Sequence, residues 1–120
     1  MVWENRGLIL VRHIMRLYLK NNRSLEDTAS AIAAVALPDH KCQLRDGLNL
    51  GGGEYFKFFT SESEILLVCN DQEHMEVFVK EKASFPFYCY VWKGSDAILE
   101  AMLSSLQGAG FACELFDENA

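Results

Sequence analysis

The sequence has no apolar run long enough to cross a bilayer. Its longest N-terminal candidate, starting at Leu8–Val11, is interrupted by Arg12 and His13, whereas a spanning helix needs about 20 apolar residues. The opening MVWENRG has no basic n-region, and no small-residue cleavage site follows a proper h-region. The expectation is therefore a cytoplasmic chain that neither spans a membrane nor carries a signal peptide. No C-x2-C knuckle occurs among the four cysteines, Cys42, Cys69, Cys89 and Cys113. That spacing excludes the common structural zinc frameworks and any compact disulfide ladder. In a reducing compartment the four thiols are expected to stay free and pack as small apolar groups. No repeat, low-complexity tract or long linker divides the 120 residues. Residues 1–120 thus read as a single domain, of a length that buries a core without staples.

What is present is an acidic, half-hydrophobic chain of net charge −6. That balance disfavours a binder of the phosphate backbone, so nucleic acid is not an expected partner. The charge is unevenly placed. Arg6, Arg12, Arg16, Lys20 and Arg23 stand against Glu4 alone in residues 1–23, a balance of +4, which leaves −10 for the other 97 residues.

The periodicities predict an α+β fold of order α-α-β-β-β-β-α-β: two N-terminal helices, a mostly antiparallel sheet of about five strands, and a third helix before the last strand. Residues 5–21 predict a helix, because Arg12, Arg16, Lys20 and Arg23 recur every three or four positions while the remaining faces are apolar. Ser24 is the expected N-cap of a second helix, with Glu26 and Asp27 at its positive end and Pro38 stopping it near Leu37. Asp46-Gly47 suggests a hairpin turn. Strands are expected at 54–59, at 64–69, in the alternating MEVFVKEK (75–82), in FPFYCYVW (85–92) and in FACELF (111–116). The clearest helix is KGSDAILEAMLSSLQGAG, with Ile98, Leu99, Met102, Leu103 and Leu106 on its buried stripe.

The segment CNDQEH (69–74) gathers a thiol, two carboxylates, two amides and an imidazole. With His40 and Cys42, residues Cys69 and His74 supply the two thiolates and two imidazoles of a tetrahedral zinc site. Their spacing favours instead a polar turn after a buried strand, with Asn70 and Asp71 bending the chain. Cys69 lies between an apolar run and an acidic one, a setting that keeps a thiol neutral and poorly nucleophilic. The glycines of NLGGGEYF lead into Glu54 and an aromatic strand, with no Lys or Ser/Thr where a phosphate loop places them. No cofactor, metal or catalytic pair is expected.

The functional leads are aromatic and electrostatic. Tyr88, Tyr90 and Trp92 alternate along one strand face and combine apolar area with polar tips, as binding hot spots do. Exposed, they would form an interface for a partner or a second copy of the chain. In size, charge and layout the chain resembles bacterial inhibitors and immunity proteins, a resemblance that implies a basic protein partner held by charge complementarity. The leading expectation is a small, non-catalytic, acidic protein–protein interaction module. The alternative is a small-molecule-binding or regulatory domain with a pocket between sheet and helices, lined by Phe56, Phe58, Tyr88 and Tyr90.

Overall fold

The computed structural model describes residues 15–47, 53–71 and 78–117. In these the order is β-α-β-β-β-β-α-β: β1 (Met15–Lys20), α1 (Leu25–Val35), β2 (Lys41–Gly47), β3 (Gly53–Phe59), β4 (Glu64–Cys69), β5 (Phe87–Lys93), α2 (Ala97–Gly108) and β6 (Ala112–Asp117). All six strands form one sheet in the order β2-β3-β4-β5-β1-β6, and every neighbouring pair is antiparallel. Strands β2 to β5 make a meander. β1 inserts beside β5, and α2 carries the chain from β5 over β1 to β6 at the far edge.

The expected arrangement of two N-terminal helices is overturned, because Met15–Lys20 is a strand in the interior of the sheet. A spacing of four brings two residues to the same side of a strand as well as of a helix, so Arg16 and Lys20 fit either reading. The alternation in MRLYLK decides it. Met15, Leu17 and Leu19 face one way, Arg16, Tyr18 and Lys20 the other, and residues 16–19 are buried in a strand paired with β5 on one edge and β6 on the other. The part of the expected helix before Met15 lies outside the described residues.

Two further corrections follow from pairing. Asp46-Gly47 is no turn: it continues β2 and pairs with Glu54 and Gly53. The strand expected at 75–82 falls partly outside the described residues, and its described end forms a single 3-10 turn over Lys80–Lys82. The α1, β3, β4, β5, α2 and β6 expectations match the observed elements within a few residues. Ser24 caps α1 as its position suggests, its hydroxyl accepting from the Asp27 N–H at 3.0 Å.

Strand alternation divides the core in two. On one side α1 and α2 lie over the sheet, and Leu17, Phe58, Leu67 and Cys89 meet Ile32, Leu99 and Leu106 in the main cluster. On the other side a smaller cluster of Tyr18, Leu66, Val68, Phe85 and Tyr88 contains no residue of either helix. Truncating a fully buried aliphatic side chain such as Leu67 is expected to cost about 2–5 kcal/mol. The main cluster therefore secures the fold, and the second side is where the sheet presents its polar aromatics.

Candidate interaction surface

The pair registers align one row across all six strands on the second side: Arg45, Tyr55, Val68, Tyr88, Tyr18 and Glu114. Tyr18 sits at its aromatic centre with no solvent exposure. Its ring lies 5.5 Å from Tyr88, 5.8 Å from Phe85 and 6.4 Å, edge-on, from Phe116. Tyr90 continues the cluster 5.9 Å from Tyr88. Tilted and edge-on pairs at such separations contribute about 0.5–1.5 kcal/mol each beyond burial. The Arg16 guanidinium stacks 4.5 Å over the Tyr88 ring and donates to the Tyr18 hydroxyl at 3.0 Å.

This packing alters the phenols. Burial pushes the Tyr88 hydroxyl up, the Arg16 charge opposes that rise, and Tyr18 adds to it. Tyr90 is pushed up to about 12, chiefly by burial, with Tyr88 and Tyr55 adding to the effect and Arg16 opposing it. Both hold their protons at neutral pH, as groups that pack and donate rather than as bases.

Charge is sorted by the same alternation. On the helix-bearing side, the charged residues of the six strands are Asp46, Glu54 and Asp117, all acidic. The helices above them add Glu26, Asp27 and Glu100, and no Lys or Arg occurs in Leu25–Val35 or Ala97–Gly108. The opposite side carries Arg16, Lys20, Lys41, Arg45, Lys57 and Lys93 against Glu64 and Glu114. Each of those two carboxylates is bonded to a lysine: Glu64 to Lys57 at 3.0 Å, and Glu114 to Lys82 of the 3-10 turn. Among the described residues, the helix-bearing side is therefore acidic and the opposite side of the sheet basic, a division across the sheet in place of the N-terminal asymmetry visible in the sequence.

The aromatic residues singled out by sequence do not share a pocket. Phe56 and Phe58 point to the helices, with Phe58 fully buried in the main cluster, whereas Tyr88 and Tyr90 belong to the opposite side. Trp92 stands apart at 67% exposure, at an irregularity where Val91 pairs with Ile65 and Lys93 with Glu64. The basic stripe is dispersed as well. Arg16 is buried in the tyrosine cluster, and Lys20 reaches the Ser84 hydroxyl at 3.4 Å. Arg23 lies 4.8 Å over the Phe111 ring, and Arg12 is outside the described residues. Between the β1–α1 and α2–β6 turns, Lys20, Arg23 and Phe111 border a shallow groove of about 310 Å³.

Among the described residues, the zinc-donor types singled out by sequence, His40, Cys42 and Cys69, are not gathered. Cys42 is level with Ile65 through Phe58, which places it two strands across and four residues along from Cys69, roughly 13 Å along the strand direction alone. The His40 Nε2 is bonded to the Ser63 hydroxyl at 2.8 Å, and His74 lies outside the described residues. Among the described residues no group of three or more His, Cys, Asp or Glu side chains is placed to hold a metal ion. Burial pushes all four thiols up, and Asp71 and Glu54 raise Cys69 further. None is an activated nucleophile. The described part of CNDQEH is structural: the Asn70 amide donates to the carbonyls of Lys82 and Phe85 at 2.9 and 2.8 Å, anchoring the loop that delivers Phe85 to Tyr18.

Tyr18, Tyr55 and Phe116 join this aromatic cluster without having been singled out by sequence. For Tyr18 the usable signal is the alternation of MRLYLK; for the others it is cross-strand register, which no single strand reveals. Comparison with protein-family models, curated proteins and solved structures finds no match. Among the described residues, no helix is long and apolar enough to cross a membrane.

Proposed function

We propose that this chain is a non-catalytic protein-interaction module whose acidic, helix-bearing side docks a basic protein surface, as an inhibitor or immunity-like protein does. The observation that carries the reading is the sorting of charge across the sheet. The outward faces of α1 and α2 present Glu26, Asp27 and Glu100 among small residues such as Ser30, Ala34 and Ser104, with no cation in either helix. A surface of one charge sign attracts a complementary partner from a distance and rejects like-charged ones. Unactivated thiols and protonated tyrosines support binding over catalysis. Four free thiols, one of them exposed, suit a cytoplasmic setting.

The test is differential capture from host lysate. The wild-type chain retains a basic protein whose association slows as salt rises. Glu26→Gln/Asp27→Asn/Glu100→Gln lowers the association rate and flattens that salt dependence, while Lys41→Gln/Arg45→Gln, on the other side, changes neither. A partner held equally by both variants sinks the proposal.

A further inference from the structure

The edge strand β2 has no strand neighbour beyond β3 among the described residues, so one row of its backbone donors and acceptors faces outward. The opposite edge is different: α2 lies against β6, and the Gln107 amide donates to the Cys113 carbonyl at 3.3 Å. Residues Lys41 to Asp46 are exposed on both faces of β2. An open edge of this kind is a template for an added strand, in which main-chain bonds supply affinity and alternate side chains supply choice. We propose that β2 accepts an extended acidic peptide segment, which would become the seventh strand.

Three features specify that occupant. Lys41 and Arg45 lie on the same side of β2 with Gln43 between them, and neither has an ion-pair partner among the described residues. The incoming strand is thus selected for carboxylates four positions apart, where opposite charges face each other across strands. On the other side of β2, Leu44 is 52% exposed above the partly buried Phe56 with which it pairs. An apolar residue alternating with the acidic ones covers it. The same cations work against a second copy of the chain. Antiparallel pairing of two β2 strands about Gln43 sets Lys41 opposite Arg45 twice, and pairing about Leu44 sets them on close diagonals. A basic edge blocks self-association and leaves an acidic strand as the complementary guest.

The cations of this site, Lys41 and Arg45, lie on the side opposite the acidic docking side, to which β2 contributes Asp46. The probe is a capped nine-residue peptide alternating Glu and Val, titrated into the isotopically labelled full chain and followed by amide shifts and amide exchange. The expected result is shifts and new protection confined to β2 and its neighbour β3, with affinity falling as salt rises. Lys41→Glu/Arg45→Glu should weaken binding by about tenfold or more and transfer preference to a Lys–Val peptide of equal length. Both substitutions are on exposed side chains, and an unchanged amide spectrum elsewhere confirms the fold. No response in β2, equal binding of the Lys–Val peptide by the wild-type chain, or a dimer already paired through β2 without peptide would each overturn the proposal.

Discussion

The Arg16 guanidinium donates a 3.0 Å hydrogen bond to the hydroxyl of Tyr18, two residues along the same strand. Both side chains are buried, at 8% and 0% exposure, so a charged group and a phenol are withdrawn from water together between β5 and β6. Such an arrangement stabilises only while the polar atoms satisfy each other, since a buried group left unpaired keeps its full desolvation cost. Tyr18→Phe preserves the ring contacts and deletes the acceptor, and is expected to cost about 1–2 kcal/mol. Arg16→Ala removes the donor and the stacking over Tyr88, and is expected to cost about 2–4 kcal/mol. Urea unfolding of both variants checks the order; a Tyr18→Phe midpoint equal to wild type would show that the bond contributes nothing.

Alkaline pH probes the same cluster. Tyr90 is pushed up to about 12, above the ordinary tyrosine value of about 10. Below about pH 10 folded and unfolded chains both keep this proton, and its contribution is fully present. As pH rises from there towards 12, the unfolded chain releases the proton first, so stability falls and the contribution is lost. Tyr88 is shifted the same way. The urea midpoint of wild type should drop more steeply between pH 10 and pH 12 than that of Tyr90→Phe. Parallel curves for the two proteins would refute the shift.

The legibility of this fold from sequence divides along physical lines. α2 is plain, because its apolar stripe has helical spacing. β4 was plain because five consecutive apolar residues need cover on both faces. β1 is ambiguous in sequence where its charges sit four apart, a spacing that helix and strand share. β2 has no burial pattern at all, since its residues are exposed on both faces, and only pairing with β3 makes it a strand. Which aromatics meet was the least accessible feature. Phe56 and Tyr88 each alternate correctly within their own strands, but their separation onto opposite sides depends on registers fixed by long-range packing. Charge sorting was hidden for the same reason.

Two glycines should respond in opposite directions to the same substitution. Gly94 adopts φ +109°, and an added Cβ would stand 3.2 Å from the Glu62 carbonyl oxygen and 3.3 Å from the Ser63 Cβ. Gly94→Ala forces a left-handed residue into the turn between β5 and α2, and is expected to cost about 1–3 kcal/mol. Gly108 ends α2 with open space around its Cα, so Gly108→Ala should stabilise by about 0.4–1 kcal/mol. Thermal unfolding separates the two, and equal shifts would contradict this account.

Asn70 offers the sharpest single-atom test. Its side-chain nitrogen spans the carbonyls of Lys82 and Phe85, and its backbone N–H donates to Pro86 at 2.8 Å. One residue thereby ties the end of β4 to the loop before β5. Asn70→Asp replaces a double donor with an acceptor facing two acceptors, and is expected to cost about 2–4 kcal/mol at neutral pH. Asn70→Ala, which only deletes the donors, should cost less. The direction with pH follows from the same contact. Neighbouring carbonyls favour the protonated carboxyl, so its folded-state value lies above the unfolded one. The penalty should therefore ease as pH falls through the folded-state value and be least below the ordinary aspartate value, near 3.9. Denaturant midpoints of the two variants at pH 7 and pH 4 decide it. A penalty for Asn70→Asp that is independent of pH would show that the carboxyl has swung out to solvent and that Phe85 is held in place by its ring contacts alone.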